Sequence, residues 1–236
     1  MTDVPVLIVG GGPVGLALAG DLGWRGVSCL LVEQTDGAIY QPRMDLVGIR
    51  TMEFCRRWGI VDRVERSPYP RDRPQDNVYV TSLAGWELGR ERMPSMGDDR
   101  PPPASPQKRE RCPQNMFDPI LREWASSFAE VRLRYHCRLL GFTQDAEMVV
   151  VEVEDLPSGQ RERITARYLV GCDGAGSPVR ERLGIRMLGT PVLTYTTNLI
   201  FRCPHFDTIH DKGKGYRYMF IGPEGTWATI VAINGR

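Results

Sequence analysis

The chain has 236 residues, of which 42% are hydrophobic and 25% are charged, and its formal net charge is +1. This composition is typical of a soluble globular protein with one large or two small domains. The near-neutral charge excludes the broad basic field of a nucleic-acid-binding protein. The apolar run at residues 4–9 is too short to span a membrane, and no basic region precedes it, so we expect neither a membrane anchor nor a secretory signal.

Cysteine and histidine side chains are dispersed along the sequence. The six cysteines include no CxxC pair, and the three histidines show no spacing typical of metal ligands. Buried or inert thiols in a reducing compartment are the expected state of such cysteines. We therefore predict a cytoplasmic protein without a disulfide framework and without a metal site.

Residues 4–33 are predicted to form a strand, a glycine turn, a helix and a second strand. The first strand, V-P-V-L-I-V, and the second, V-S-C-L-L-V, are nearly continuous apolar runs. Such runs are typical of strands that a parallel sheet buries on both faces. The pattern predicts a βαβ unit, and hence an α/β fold at the start of the chain.

The turn after the first strand has the spacing GxGxxG, with Gly10, Gly12 and Gly15. In this context the glycines allow a tight turn, close approach of a pyrophosphate and close helix–sheet packing. The helix that follows presents unpaired N–H groups to the phosphates. Glu33, at the end of the second strand, is placed to accept hydrogen bonds from ribose hydroxyls. The motif predicts an adenine dinucleotide without choosing between NAD and FAD, and a nucleotide-free βαβ turn is the alternative.

Residues 45–129 are predicted to contain helices, a hairpin and a loop in succession. Apolar spacing predicts a helix over residues 45–58 and a short helix over 60–66. Alternation predicts a hairpin over residues 76–92, and four prolines make residues 96–112 a surface loop. Residues 114–129 are again predicted to be helical.

The second half of the chain is predicted to be rich in strands. Residues 131–137, 147–155 and 164–174 are expected strands, and the middle one belongs to an antiparallel excursion. Residues 194–203 are predicted to form another strand. Residues 216–233 are predicted to form a hairpin that turns between Gly222 and Gly225.

A carboxylate follows the strand that ends near residue 171. Asp173 and Gly174 come next, and a basic helix start follows Ser177. In open α/β sheets, ligands bind at the carboxyl ends of the strands, where this carboxylate lies. A helix cap formed by Asp173 or Ser177 is the alternative, and both roles are compatible.

Four stretches, residues 7–34, 42–60, 112–123 and 168–185, carry a family resemblance. Together they resemble the single-component FAD-dependent aromatic hydroxylases, the group of para-hydroxybenzoate and phenol hydroxylases. The resemblance covers most of residues 4–186 in the order that the family has. It selects FAD as the cofactor.

The resemblance implies an α/β, overall α+β, architecture in two parts. A discontinuous Rossmann-like FAD-binding domain, residues 1–75 and 105–185, has a parallel sheet with an antiparallel β excursion. Residues 76–104 and 186–236 are expected to form part of a β-sheet substrate-binding domain, and we expect that domain to be truncated. The chain has one GxGxxG turn, and the resemblance implies no separate domain for NAD(P)H.

Particular cofactor-binding residues follow from the resemblance. Asp173 and Gly174 correspond to a signature near the ribityl and pyrophosphate groups, and Pro13 belongs to the glycine turn. Arg43 matches an arginine beside the flavin, and Gln114 matches a glutamine near the FAD chain. A solvated Arg43 and a Gln114 that caps its own helix are the alternatives.

The implied activity is that of an FAD-dependent monooxygenase. Such an enzyme hydroxylates a phenolic or other activated aromatic substrate with NAD(P)H and O2, through a flavin C4a-hydroperoxide. Another flavin oxidoreductase of the superfamily (a reductase, an epoxidase or a halogenase) is an alternative, although the chain has no Trp-x-Trp-x-x-Ile stretch. A non-catalytic dinucleotide-binding module is the other alternative.

The sequence identifies no catalytic residue. Alternation places Tyr216, Tyr218 and Phe220 on one face of the late hairpin, which also carries Trp227. In the family this sheet covers the substrate, and simple packing of aromatic side chains is the alternative.

One family feature is absent from the sequence. The third signature, a Gly-Asp pair followed by small residues and His, is not found, and the chain ends after an apolar strand. We expect an N-terminal fragment of a longer hydroxylase, or a chain completed by another segment or by a subunit of a homo-oligomer. The choice between NADH and NADPH stays open.

Overall fold

The computed structural model describes residues 2–190 and 192–234. The chain forms two compact units, Met1–Tyr40 with Phe117–Thr197 and Gln41–Met116 with Asn198–Arg236. The predicted domains divide the chain at other positions, and their assignment to flavin and to substrate stays a prediction. The elements in chain order are β1 (Thr2–Val9), α1 (Pro13–Trp24), β2 (Cys29–Val32), β3 (Leu46–Val47), α2 (Ile49–Arg57), α3 (Val61–Glu65), β4 (Asn77–Val80), β5 (Glu87–Glu91), β6 (Glu110–Arg111), α4 (Gln114–Ser126), β7 (Val131–Arg134), β8 (Cys137–Gln144), β9 (Val149–Asp155), β10 (Arg161–Gly171), α5 (Pro178–Arg182), the 3-10 turn Phe206–Thr208, β11 (Arg217–Gly222) and β12 (Gly225–Val231).

The first unit is built on a six-stranded sheet with the strand order β7-β2-β1-β10-β9-β8. Strands β7, β2, β1 and β10 are parallel, whereas β9 and β8 are antiparallel. Consecutive residues of β1, such as Leu7 and Ile8, are fully buried, because both faces of the sheet are covered. The predicted βαβ crossover, parallel sheet and antiparallel excursion are confirmed.

The second unit contains a four-stranded sheet, β12-β11-β4-β5, and a two-stranded ribbon, β3-β6. Strand β11 is antiparallel to β12 and parallel to β4. The side chains of Val78, Val80, Tyr218 and Phe220 form its small buried core. Both predicted hairpins are present, and the aromatic side chains of β11 pack within the sheet.

Three parts of the chain differ from the sequence-based expectation. The helix predicted from residue 45 begins at Ile49, because Leu46 and Val47 pair with β6. The strand predicted over residues 131–137 is interrupted at His136, whose φ of +53° separates β7 from the unpredicted β8. Residues 194–203 form no strand in the described structure, since no neighbouring strand pairs with them. Strand propensity largely reflects such packing, and an unpaired segment gains none of it.

None of the described helices is both long and apolar enough to cross a membrane.

Candidate cofactor-binding site

The glycine turn joins β1 to α1, and two of its glycines exclude any side chain. Gly10 has a φ of +109°, and a Cβ there would lie 2.4 Å from the carbonyl oxygen of Cys172. A Cβ at Gly15 would lie 1.9 Å from the carbonyl oxygen of Gly10. The turn is therefore packed tightly against the segment that follows β10 and against the first turn of α1.

Gly12 has a different environment from the other two glycines. It is the N-cap of α1 with a φ of −75°, and no atom of the described residues lies within 4 Å of the position of its Cβ. No side chain in the part of the chain that the structure describes caps α1, its first turn has no acidic residue, and Pro13 occupies the first helical position. The open space therefore lies at an uncapped helix N-terminus, which attracts anions such as a pyrophosphate.

Glu33 follows β2 and lies against the glycine turn. Its Oε2 accepts a hydrogen bond from the backbone N–H of Gly11 at 2.7 Å. Its Oε1 accepts bonds from the backbone N–H and the hydroxyl of Thr35, both at 2.8 Å. Since a carboxylate has about four acceptor positions, this oriented group retains capacity for a ribose hydroxyl.

Asp173 caps the short helix α5. Its Oδ1 accepts a hydrogen bond from the Ser177 hydroxyl at 2.5 Å, and its Oδ2 accepts one from the backbone N–H of Val179 at 3.0 Å. Ser177 in turn accepts a bond from the backbone N–H of Arg180 at 3.0 Å. The capping role considered for Asp173 and Ser177 is thus observed. Gly174, with a φ of +82°, makes the turn that lets the carboxylate reach back to the helix.

Most of the predicted cofactor-binding residues meet at one edge of the first sheet. Strands β2, β1 and β10 are neighbours, so Glu33 and Asp173 approach the glycine turn from its two sides. A Cβ at Gly10 would lie 2.9 Å from the backbone nitrogen of Asp173, and one at Gly11 would lie 2.8 Å from the Cβ of Glu33. Seven predicted residues share this edge: Gly10, Gly12, Pro13, Gly15, Glu33, Asp173 and Gly174.

Arg43 and Gln114 belong to the second unit and contact each other. The backbone N–H of Arg43 donates a hydrogen bond to Gln114 Oε1 at 3.0 Å, and the backbone N–H of Gln114 donates one to Met44 at 2.9 Å. Gln114 is buried, whereas the Arg43 side chain is exposed. The amide of Gln114 therefore fixes the backbone beside Arg43, and the contact of either side chain with a cofactor stays a prediction.

Sequence reasoning missed a polar cluster next to this pair. Asp45 forms an ion pair with Arg111 at 3.0 Å and accepts a hydrogen bond from the Tyr216 hydroxyl. Burial raises the pKa of Tyr216, and the hydrogen bond to Asp45 raises it further. The three residues are far apart in sequence, and Asp45 was included in a predicted helix, so no periodic signal connects them.

The cysteine and acidic side chains form neither a disulfide nor a metal-ligating cluster in the described part of the chain. All six cysteines are free, and burial raises the pKa of the Cys172 thiol next to the glycine turn. Within residues 2–190 and 192–234, no group of three or more His, Cys, Asp or Glu side chains is arranged to hold a metal ion.

A family model described as FAD binding domain matches residues 3–236. The chain belongs to this family. The uncapped helix, the open position at Gly12 and the oriented Glu33 suit the pyrophosphate and ribose of the cofactor that the family is named for. The family, the fold class and the FAD assignment predicted from the sequence are confirmed.

Relatives within the family are monooxygenases. The tetracenomycin B2 monooxygenase-dioxygenase of Streptomyces olivaceus is 32% identical over 229 residues, which cover 92% of this chain and 42% of the relative. The phenol 2-monooxygenase of Pseudomonas sp. (strain EST1001) is 33% identical over 202 residues, covering 84% of this chain and 32% of the relative. The chain thus spans less than half the length of these relatives.

Solved structures agree with this family assignment. The rebeccamycin biosynthetic enzyme RebC with reduced flavin is 36% identical, with a TM-score of 0.88 over 100% of this chain and 44% of RebC. Aklavinone-11 hydroxylase in complex with FAD and aklavinone is 32% identical, with a TM-score of 0.65 over 78% of this chain and 35% of that protein.

Proposed function

We propose that the chain is the FAD-binding portion of a monooxygenase that hydroxylates a phenolic or other activated aromatic substrate. The observation that carries this proposal is the edge of the first sheet, where an uncapped helix N-terminus and an oriented carboxylate flank an open glycine. The names of relatives and solved structures, which include monooxygenases acting on phenols, support the aromatic substrate class. Oxygen and NAD(P)H are the co-substrates that this reaction requires.

Each residue of the proposed site has a specific part in holding the cofactor. The first turn of α1 presents its N–H groups to the pyrophosphate, and Gly12 lets the phosphate oxygens approach the backbone. Glu33 accepts hydrogen bonds from the ribose hydroxyls. Gly10 and Gly15 keep the turn close to β10 and α1, and Asp173 holds the neighbouring turn in place.

Bound FAD supplies the redox chemistry, because it accepts reducing equivalents from NAD(P)H and activates O2 for oxygen transfer to the aromatic ring. The chain's own contribution is to bind and orient that cofactor. The remaining part of the substrate pocket would come from a further segment of polypeptide or from a second copy of the chain. The six free thiols support a reducing, cytoplasmic location for the protein.

The substitution Gly12→Ala tests this function directly. Its Cβ would meet no atom of the described residues, so the fold tolerates the change, but the methyl group occupies the space that a pyrophosphate needs. We expect FAD to bind at least about tenfold more weakly, a loss of about 1.4 kcal/mol, as measured by quenching of flavin fluorescence.

A matched control is available at the N-cap of α2. Gly48 has a φ of −69°, and within residues 2–190 and 192–234 it has no side-chain cap and no atom within 4 Å of its Cβ position. Gly48→Ala therefore makes the same chemical change at another helix. FAD affinity should be unchanged in this variant. Equal affinity in the Gly12→Ala and Gly48→Ala variants, or no FAD binding by the unaltered chain, would contradict the proposed function.

A further inference from the structure

The ribbon that carries Arg43 and Gln114 continues beyond β3 and β6. Leu46 pairs with Arg111 in the ribbon itself. The backbone N–H of Cys112 then donates a hydrogen bond to the Asp45 carbonyl at 3.2 Å. The backbone N–H of Gln114 donates the next bond, to the Met44 carbonyl at 2.9 Å, and the Gln114 side-chain Oε1 accepts one from the backbone N–H of Arg43 at 3.0 Å. The conformation of Arg43 therefore depends on how firmly this end of the ribbon is held.

Asp45 uses both carboxylate oxygens to hold that end. Oδ1 lies 3.0 Å from Arg111 Nη1, on the opposite strand of the ribbon. Oδ2 accepts a hydrogen bond from the Tyr216 hydroxyl, at the residue that precedes β11. A single side chain thus connects both strands of the ribbon to the start of the late hairpin.

Arg111 makes the cluster rigid. Its guanidinium carbon lies 3.5 Å from the centroid of the Tyr216 ring, in a cation–π arrangement. Its Nε donates a hydrogen bond to Gln75 Oε1 at 2.8 Å, and Gln75 Nε2 donates one to the Tyr69 hydroxyl at 3.2 Å. Arg111, Gln75, Tyr69 and Tyr216 are all less than 9% exposed, so water competes little for these bonds.

We propose that Asp45, Arg111 and Tyr216 are positioning residues, which set the backbone of Arg43 and Gln114 for contact with the flavin end of FAD. The contact with FAD rests on the proposed function, whereas the effect on the ribbon does not. The late hairpin thereby acquires a role in cofactor binding, through Tyr216, in addition to its packing role.

The substitution Tyr216→Phe tests the proposal, because it removes only the hydroxyl that binds Asp45. Tyr218→Phe is the matched control: Tyr218 is equally buried in the same hairpin, and its hydroxyl donates a hydrogen bond to the Gly213 carbonyl at 2.6 Å, away from the ribbon. Both variants lose one buried hydrogen bond and should have similarly lowered melting temperatures.

Hydrogen–deuterium exchange distinguishes a positioning role from general destabilisation. We expect the amides of residues 43–47 and 110–114 to exchange faster in Tyr216→Phe than in Tyr218→Phe. FAD should bind about threefold more weakly to Tyr216→Phe, the loss expected for one net hydrogen bond, while ADP, which lacks the flavin, binds unchanged. Tyr218→Phe should leave both affinities unaltered.

Equal exchange of the ribbon in the two variants overturns the proposal, and so does faster exchange with unchanged FAD affinity. If the unaltered chain binds no FAD, the proposed function fails and the exchange measurement alone decides the positioning role. Should Tyr216→Phe fail to fold, Asp45→Asn provides the second variant, since it keeps the shape of the side chain and weakens both of its bonds.

Discussion

At the scale of single residues, the three motif glycines are required for three different reasons. Gly10 has a positive φ and no room for a side chain. Gly15 has no room for a side chain but no positive φ, and Gly12 has room for a side chain and no positive φ. A protein without a ligand would have no structural need for glycine at position 12. Packing therefore requires glycine at positions 10 and 15 but not at position 12, where the open position is one feature of the proposed cofactor site.

Gly15→Ala should destabilise the protein, unlike Gly12→Ala. The added Cβ would lie 1.9 Å from the Gly10 carbonyl oxygen, and backbone rather than a flexible side chain must move to relieve the overlap. We expect a loss of about 1–3 kcal/mol in the free energy of unfolding, measured by urea denaturation. A Gly15→Ala variant as stable as the Gly12→Ala variant would show that the turn is looser than this packing implies.

For Asp173, the sequence predicts the position in the fold but not the hydrogen-bond partners of the side chain. Its position after a parallel strand was predicted correctly, because strand order and ligand side follow from the βαβ pattern. The observed partners of its carboxylate, Ser177 and Val179, correspond to the capping alternative. Side-chain hydrogen bonds of this kind depend on rotamers that a sequence does not specify. The sequence alone therefore does not choose between helix capping and cofactor binding by Asp173.

At the scale of elements, regular periodicity was predictive and long-range pairing was not. The elements β1, α1 and β2 follow from continuous apolar runs around a glycine turn, and both hairpins follow from alternation and turn residues. The ribbon β3-β6 was missed because it joins residues about sixty positions apart with only two residues in each strand. Its partners, and the cluster around Asp45, become visible only when the chain is folded.

An ion pair fixes the loop that leads into β11. Arg73, which is 5% exposed, donates hydrogen bonds to both carboxylate oxygens of Asp207, at 2.8 and 2.9 Å, and to the Gly215 carbonyl. The hydrogen bond with Arg73 holds the pKa of Asp207 below its usual value of 3.8. The stabilisation is therefore fully present above that value and is lost as the pH falls through the lower, folded-state pKa.

Asp207→Asn should cost about 2 kcal/mol in the free energy of unfolding at pH 7, because it weakens a half-buried charged hydrogen bond. Denaturation with urea between pH 3 and pH 7 should show a constant difference from the unaltered protein above pH 5. That difference should shrink as the pH falls below 3.8, because the carboxylate is then protonated in the unfolded state before it is protonated in the folded state.

Asp72 supplies the control for this pH series. It is an exposed carboxylate one residue before Arg73 and forms no ion pair in the part of the chain that the structure describes. Asp72→Asn should change stability by less than about 0.5 kcal/mol, as surface substitutions usually do. A difference for Asp207→Asn that stays constant down to pH 3 would exclude a lowered pKa as the source of the effect.

At the scale of the whole molecule, the residues proposed to bind the adenosine and pyrophosphate half of FAD are concentrated in one part of the chain. The glycine turn, α1 and Glu33 all belong to the first unit. The chain spans 42% of one monooxygenase relative and 44% of RebC.

The location of these residues in the first unit predicts which ligands the 236-residue chain prefers. The N-terminus of α1, Gly12 and Glu33 are proposed to bind the phosphate and ribose groups, which ADP shares with FAD. ADP should therefore displace FAD, and FAD should bind no more than about tenfold more tightly than ADP. Riboflavin, which has neither group, should not compete at any soluble concentration. Equilibrium dialysis, with each ligand quantified by chromatography, measures all three affinities, because riboflavin and FAD fluoresce in the same range. If riboflavin displaced FAD while ADP did not, the flavin ring would be the recognised group, and the glycine turn would lose its assigned part in cofactor binding.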